Sequence, residues 1–374
     1  MSGDAERLRL GLVGPLPPPF GGMANQTRQL ASLLRAEGLD VALVRTNEPH
    51  RPAWIASLRG IRGLVHQIPY RRALSRLTRQ IDVLHVMANS GWAWRLLAAP
   101  AVAAGVAQGV PVVVNYRGGL AREFLSQSAS SVIPMLRRAA ALVVPSRFLH
   151  EVFAQHGLEA EVIPNVVDLA MFTPRAAAPR PDRRTHVVIT RNLEALYGID
   201  TALHAVALLR ERLPDLRVSI AGSGPEREAL ERLSASLGLA NVVRFTGRLE
   251  TAEIANLYRD ADLLLNPSRA DNTPNSLLEA AACAVPIVTT NVGGVPYLVE
   301  HGRTAWLVPA DSAGEMAEAM RRVLDDAELR QRLCAAASEL ATSCSWPVVR
   351  DRWLGLYRRL AQTGASPTLA ATGR

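Results

Sequence analysis

The sequence predicts an α/β protein of two doubly wound domains that face a cleft, and three observations carry that prediction. At 374 residues the chain exceeds the roughly 100 to 200 residues that one domain core usually takes. Short apolar runs of strand length alternate with helix-like stretches along both halves, the order that builds a parallel sheet covered by helices. Between Asp168 and Arg184 the text "DLAMFTPRAAAPRPDRR" is rich in Pro, Ala and Arg and has no periodic apolar face. The expected boundaries are an N-terminal domain over 1–174, a linker over 175–184, a C-terminal domain over 185–345, and a last helix with a tail over 346–374.

The elements follow in order. "RLRLGLVG" alternates and then turns apolar, as a strand entering a sheet does, and the loop "PLPPPFGG" follows it. Leu30, Leu33 and Leu34 fall at helical spacing, Gly38 stops the run, and "DVALV" reads as the next strand. "DVLHV", "VPVVVNY" and "ALVVPS" continue the strand series, with helical text such as "APAVAAGVAQG" between them. The second series runs through "THVVITR", "LRVSIAGSG", "NVVRFTG", "ADLLLNPS" and "VPIVTT". In such sheets ligands bind beyond the carboxyl ends of the strands.

Composition narrows the chemistry. Hydrophobic residues make up 48% of the chain and charged residues 20%, the balance of a protein with real cores. All 42 basic residues are arginine. The lack of lysine excludes a Schiff-base lysine, a pyridoxal anchor and a P-loop lysine. The net charge of +8 divides unevenly at Pro174: 18 Arg oppose 11 acids before it and 24 oppose 23 after it, so the surplus is +7 and +1. Cys283, Cys334 and Cys344 show no C-x-x-C pair and read as reduced thiols. No apolar run reaches the ~18 residues of a membrane span and Met1 to Leu10 has no signal-peptide core, so a cytoplasmic location is expected, with peripheral contact at the inner face of the membrane.

The most informative stretch is "NPSRADNTPNSLLEAAACAVPIVTTNVGGVP". Thr273 is expected to cap a helix that starts with Pro274. The N–H groups of Asn275, Ser276 and Leu277 would then point at the preceding loop, which suits a diphosphate. Asp271 would sit in that loop and Glu279 about one and a half turns into the helix. One carboxylate can then face a sugar while the other reaches a ribose.

That spacing resembles the E-x7-E motif of the retaining GT-B glycosyltransferases of family four (glycosyl transferases group 1), written D-x7-E in this chain. "AGSGPEREAL", "YRDADLLLNPSRADNTPNSLLEA" and "TNVGGVP" resemble the family's C-terminal domain in order, "PPPFGGMANQTRQL" and "VIPNVVDLAMFTP" its N-terminal domain, over residues 8 to 345. The resemblance implies two Rossmann-like domains in the GT-B arrangement and transfer from a nucleotide-sugar donor. It gives Asp271 the donor sugar hydroxyls near the reacting carbon and Glu279 the ribose. Arg191 in "ITRNLEALYG" takes the first place of the family's diphosphate clamp, while Tyr197 stands where the family has Lys. Gly222 in "AGSG" joins the donor side, and Gly21 and Gly22 let the backbone approach a phosphate or merely form a β-α turn. Arg117, after "VVVNY", stands where the family has a His near the reacting sugar; it cannot act as a base but can stabilise developing phosphate charge.

The departures at Asp271, Tyr197 and Arg117 leave three readings: a transferase, an inactive nucleotide-sugar-binding partner subunit, or a sugar-nucleotide epimerase. Asp260 and Asp262 spell a D-x-D at a helix-to-strand junction, and the histidines lack ligand spacing, so neither a metal nor a cofactor is expected. His85 reads as a satisfied core residue. Residues 49–81 carry seven arginines and no acid, threaded with Trp54, Ile55, Leu58, Ile61, Leu64, Val65 and Ile68, which suits either anionic lipid or a solvated face. The expected partners are a nucleotide-sugar donor and a sugar or lipid-linked acceptor, with no nucleic acid.

Overall fold

A computed structural model describes residues 7–18, 21–48, 67–175 and 184–364. The chain divides into two compact units, Met1–Val166 with Val349–Arg374, and Val167–Val348.

The first unit is built on a parallel six-stranded sheet of order β2-β1-β3-β4-β5-β6. The strands are β1 (Arg9–Gly14), β2 (Asp40–Arg45), β3 (Val83–Ala88), β4 (Val112–Tyr116), β5 (Ala141–Val144) and β6 (Glu161–Val162). β3 and β4 are buried along their whole length, as strands covered by helices on both faces must be. The second unit repeats the plan in the order β12-β11-β10-β7-β8-β9. Its strands are β7 (Thr185–Thr190), β8 (Leu216–Ala221), β9 (Val243–Gly247), β10 (Leu263–Asn266), β11 (Ile287–Thr290) and β12 (Trp306–Val308). Side-chain alternation divides its core: Val187 and Ile189 of β7 join the apolar cluster on one face, and Val188 the cluster on the other.

In each sheet the strand order reverses once, between β1 and β3 and between β7 and β10. Loops leaving the carboxyl ends of these strands diverge to opposite faces and open a crevice. Arg191 follows β7 directly, and the loop carrying Asp271 follows β10.

All ten strands read from the sequence are present, and β6 and β12, of two and three residues, are additions too short to carry a period. The units divide at Val166/Val167, upstream of the boundary expected at Pro174, because Val167 and Phe172 already pack in the second unit's core. The last helix, Trp346–Thr363, supplies its residues from Val349 onward to the first unit. There Trp353 and Tyr357 pack against His85 of β3, with ring centroids 5.0 and 6.0 Å away. Most of the linker expected at 175–184 lies outside the described residues.

Candidate active site

The crevice between β7 and β10 gathers the polar residues of the D-x7-E stretch around one arginine. Arg191 Nε donates to Asn266 Oδ1 at 2.6 Å, and Asn266 Nδ2 donates to Thr289 Oγ1 at 2.9 Å. Asn266 and Thr289 are register partners of neighbouring strands, so the sheet itself sets this line of contacts. Arg191 Nη2 lies 2.7 Å from Asp271 Oδ2, with both side chains mostly buried. That nitrogen has no aligned hydrogen-bond acceptor, so the pair is held by charge and its N–H groups remain undirected. Asp271 accepts from the Asn272 amide at 2.9 Å and from Ser268 Oγ at 3.3 Å.

The helix after this loop is Asn275–Ala282, with Pro274 rather than Thr273 in the capping position. Pro274 is extended at ψ 115°, which removes it from the helix and moves the start one residue on. The amide of Leu277 donates to the Pro274 carbonyl at 3.1 Å, so of the three amides expected to face a ligand this one is engaged. Ser276 Oγ, by contrast, is buried and makes no hydrogen bond in the protein. Glu279 is on the same helix, its fifth residue and just over one turn in, and Tyr258 donates to its Oε2 at 3.4 Å. Tyr258 also bonds Thr190 at the end of β7 at 2.7 Å. Burial pushes the Glu279 carboxyl up to about 7, against the pull of the Arg191 charge and the Tyr258 hydrogen bond.

Tyr197 presents its ring to Arg191, whose guanidinium carbon is 5.5 Å from the ring centroid. Its contribution is to hold the cation, not to replace one. Gly222 also serves the chain itself: a Cβ there would lie 1.9 Å from the Arg191 carbonyl oxygen. Glycine is needed where β8 passes the end of β7. Gly294, in "NVGGVP", clasps the same loop, donating to the Asp271 carbonyl at 2.9 Å. Asn266, Ser268 and Tyr258 were missed by sequence reasoning, since each sits in text that reads equally well as ordinary strand, loop or helix.

The D-x-D aspartates lie at the junction of the helix Thr251–Arg259 with β10 and are engaged there. Asp260 takes Arg217 at 2.6 Å, and Asp262 accepts the His186 amide at 2.8 Å. Three acidic, histidine or cysteine side chains are nowhere grouped for a metal among the described residues.

In the first unit, Gly21 caps the helix Gly22–Ala36 in extended conformation, and nothing lies within 4 Å of where its Cβ would be. Arg117 leaves the end of β4 and donates to Asn165 Oδ1. Burial lowers its pKa to about 10. His85 is only half satisfied: Nδ1 meets the Tyr357 hydroxyl at 2.7 Å, whereas Nε2 is buried without a partner. Burial and the Arg117 charge push it down to about 3, so it is neutral. Of the basic stretch, 49–66 lies outside the described residues. The helix Gln67–Leu77 commits Tyr70, Leu74 and Leu77 to the core and leaves Ile68 exposed with Arg71, Arg72 and Arg76. No described helix is long and apolar enough to cross a membrane.

Comparison with known proteins bears on the family and the fold. Residues 20–171 match the family model Glycosyltransferase Family 4, and residues 173–340 match Glycosyl transferases group 1. The chain is 28% identical to a phosphatidyl-myo-inositol mannosyltransferase of Mycolicibacterium smegmatis, over 96% of this chain and 95% of that one. It is 32% identical to a D-inositol 3-phosphate glycosyltransferase of Paenarthrobacter aurescens, over 53% of this chain and 51% of that one. Its fold matches the sucrose-phosphate synthase of Thermosynechococcus elongatus with a TM-score of 0.78 at 20% identity, over 96% of this chain and all of the other. With two parallel sheets of this order and a family model on each half, the chain belongs to the GT-B glycosyltransferases of group 1 and family 4.

Proposed function

We propose that the chain moves a glycosyl unit from a nucleotide-sugar to an acceptor hydroxyl with retention, the second unit binding the donor and the first the acceptor. The observation that carries this reading is Arg191: a mostly buried cation at the β7/β10 crevice, tied to Asp271 by charge and to Asn266 through Nε, with the N–H groups of Nη2 not directed at any protein acceptor. A diphosphate would take those donors bidentately. Ser276 Oγ offers a further donor at the start of the helix Asn275–Ala282, whose N-terminal end is positive. Charge that develops on the departing diphosphate is then met by groups already in place, the form of stabilisation that lowers a barrier most. Glu279 takes the ribose hydroxyls and Asp271 those of the sugar, with Gly21 and Gly22 leaving room for the backbone to approach. No metal is required, because Arg191 and the helix amides supply the positive potential.

The full-length likeness to a phosphatidyl-myo-inositol mannosyltransferase and the +7 surplus of the N-terminal half support a lipid-linked or polysaccharide-precursor acceptor. Residues 49–81 would hold the enzyme at an anionic surface, each arginine contributing ~1 kcal/mol. Incubation with a panel of nucleotide-sugars should release nucleoside diphosphate from one of them, in the presence of EDTA, with the donor's anomeric configuration kept in the product by proton NMR. Release from none of the donors would remove the reading, an inverted product would remove retention, and loss restored by manganese would remove metal independence. Co-sedimentation with anionic but not neutral vesicles tests the surface contact.

A further inference from the structure

The first unit contains a cation of its own set for a ligand, Arg117. A cleft in this unit is lined on its polar side by Gln26, Gln29, Asn115 and Arg117, and on its apolar side by residues that include Val166 and Trp353. Arg117 reaches it from the end of β4, the glutamines from the helix Gly22–Ala36, and Trp353 from the last helix. Among the described residues no carboxylate lines the cleft or pairs with Arg117, whose side chain has only the Asn165 amide oxygen as an acceptor. A half-buried guanidinium without a counter-charge is costly to keep, and its neighbours do nothing to relieve it. His85 beside it is neutral, and the other polar residues in the lining are amides.

The donors that these amides hold are also unspent. Asn115 Nδ2 meets only the Met87 sulfur, at 3.5 Å, although the residue is buried. Gln26 gives its amide hydrogens to Gln29 Oε1 and to the Val166 carbonyl, both at 3.1 Å, and so turns the oxygen of Gln29 away and leaves its nitrogen as the free end. Three kinds of N–H donor therefore line one cleft that has no carboxylate among its described lining residues.

We infer that this cleft is an anion-binding subsite in which Arg117, Asn115 and Gln29 take a phosphate or carboxylate group carried by the acceptor. The assignment to the acceptor rests on the proposed division of labour between the units; the anion site itself does not. Arg117 offers two parallel N–H groups to two oxygens of the anion, Asn115 and Gln29 offer one each, and Trp353 covers the group and strengthens the interaction by excluding water. A neutral acceptor of the same shape would leave the guanidinium unmatched and be rejected.

The test uses the full chain labelled with 5-fluorotryptophan, the Trp353 fluorine resonance being assigned from Trp353→Phe. Titration with inorganic phosphate should shift that resonance saturably. Arg117→Gln should weaken the apparent affinity at least tenfold, and Arg117→Lys, which keeps the charge but not the fork, by less. Phosphate that leaves the Trp353 resonance unmoved in the wild type, or moves it equally in folded Arg117→Gln, overturns the inference. Sugars or polyols bearing a phosphate, bearing a carboxylate, or bearing neither then compete with phosphate, and the better competitor identifies the group. Competition by the neutral compound as strong as by either anion also overturns it. If phosphate binds at Trp353 while no nucleotide-sugar is consumed, the proposed function fails and the anion site stands. If transfer proceeds and phosphate does not bind, only the anion site fails.

Discussion

Glu279 is asked to do two things that conflict. Its place on the helix Asn275–Ala282 was legible in the D-x7-E spacing, but its burial and its Tyr258 partner were not, because Tyr258 comes from another helix. A carboxyl held at about 7 when folded and near 4.5 when unfolded binds its proton more tightly in the native state. The stability this lends is complete below pH ~4.5 and is lost as pH rises through 7. Glu279→Gln stays neutral throughout, so it should match the wild type near pH 4 and exceed it by up to roughly 3 kcal/mol at pH 8. Donor binding should move the other way. The charged form makes the stronger bonds to a ribose, so wild-type affinity should climb through pH 7 while the variant stays flat and at least tenfold weaker at pH 8. Denaturant melts and calorimetry at pH 5 and 8 read both effects, and unchanged donor binding in the variant would take Glu279 out of the site. Arg117 shows the opposite side of legibility. Its departure from the family's histidine was visible in the sequence, whereas the missing counter-charge could be read only once β4 and the helix Gly22–Ala36 stood together.

At the level of elements, the site is a set of strand ends locked by close backbone contacts. Most of the ten legible strands are apolar and buried on both faces, whereas β2 and β9 are partly exposed and were read from shorter apolar stretches. The order of the strands, and so the crevice between β7 and β10, is a non-local fact that periodicity does not contain. Helix caps were read less well: Thr273-Pro274 has the residue types of a cap and first turn, yet Pro274 adopts an extended ψ and the helix starts after it. Gly222 was placed with the donor, and its closest neighbour is instead the Arg191 carbonyl. Gly222→Ala must therefore push the backbone that carries Arg191, at a cost of about 1 to 3 kcal/mol of stability. Donor affinity should fall with it, because the guanidinium loses its register with Asn266. Gly314→Ala supplies the control: its Cβ would meet nothing within 4 Å in the helix Ala313–Asp325, so stability should rise slightly. Equal melting temperatures and donor affinities for the two variants would show that the contact at Gly222 relaxes freely.

On the scale of the whole chain, the two-unit plan followed from length and the repeated strand series, but contiguous sequence cannot show that a chain returns to its first unit at the end. The amphipathic text "SWPVVRDRWLGLYRRLAQ" gives a helix without saying what it covers. In the structure Val349, Trp353 and Tyr357 are buried in the unit that begins at the N-terminus, and the Tyr357 hydroxyl bonds Nδ1 of His85 in the middle of β3. The last helix is thus part of the core of the unit assigned to the acceptor. Trp353→Ala should cost about 3 to 5 kcal/mol, the range for emptying a buried aromatic position. The loss should be confined to one unit, since Trp353 stacks on residues of that unit alone, with ring centroids 5.0 Å to His85 and 5.7 Å to Tyr357. Amide exchange followed by mass spectrometry should therefore speed up in peptides covering β3 and β4 and stay unchanged in those covering β7, β8 and β10, while nucleotide binding persists. Uniform acceleration across both sheets would mean that the units unfold as one, and protection of β3 equal to wild type would mean that the helix is only a surface strap.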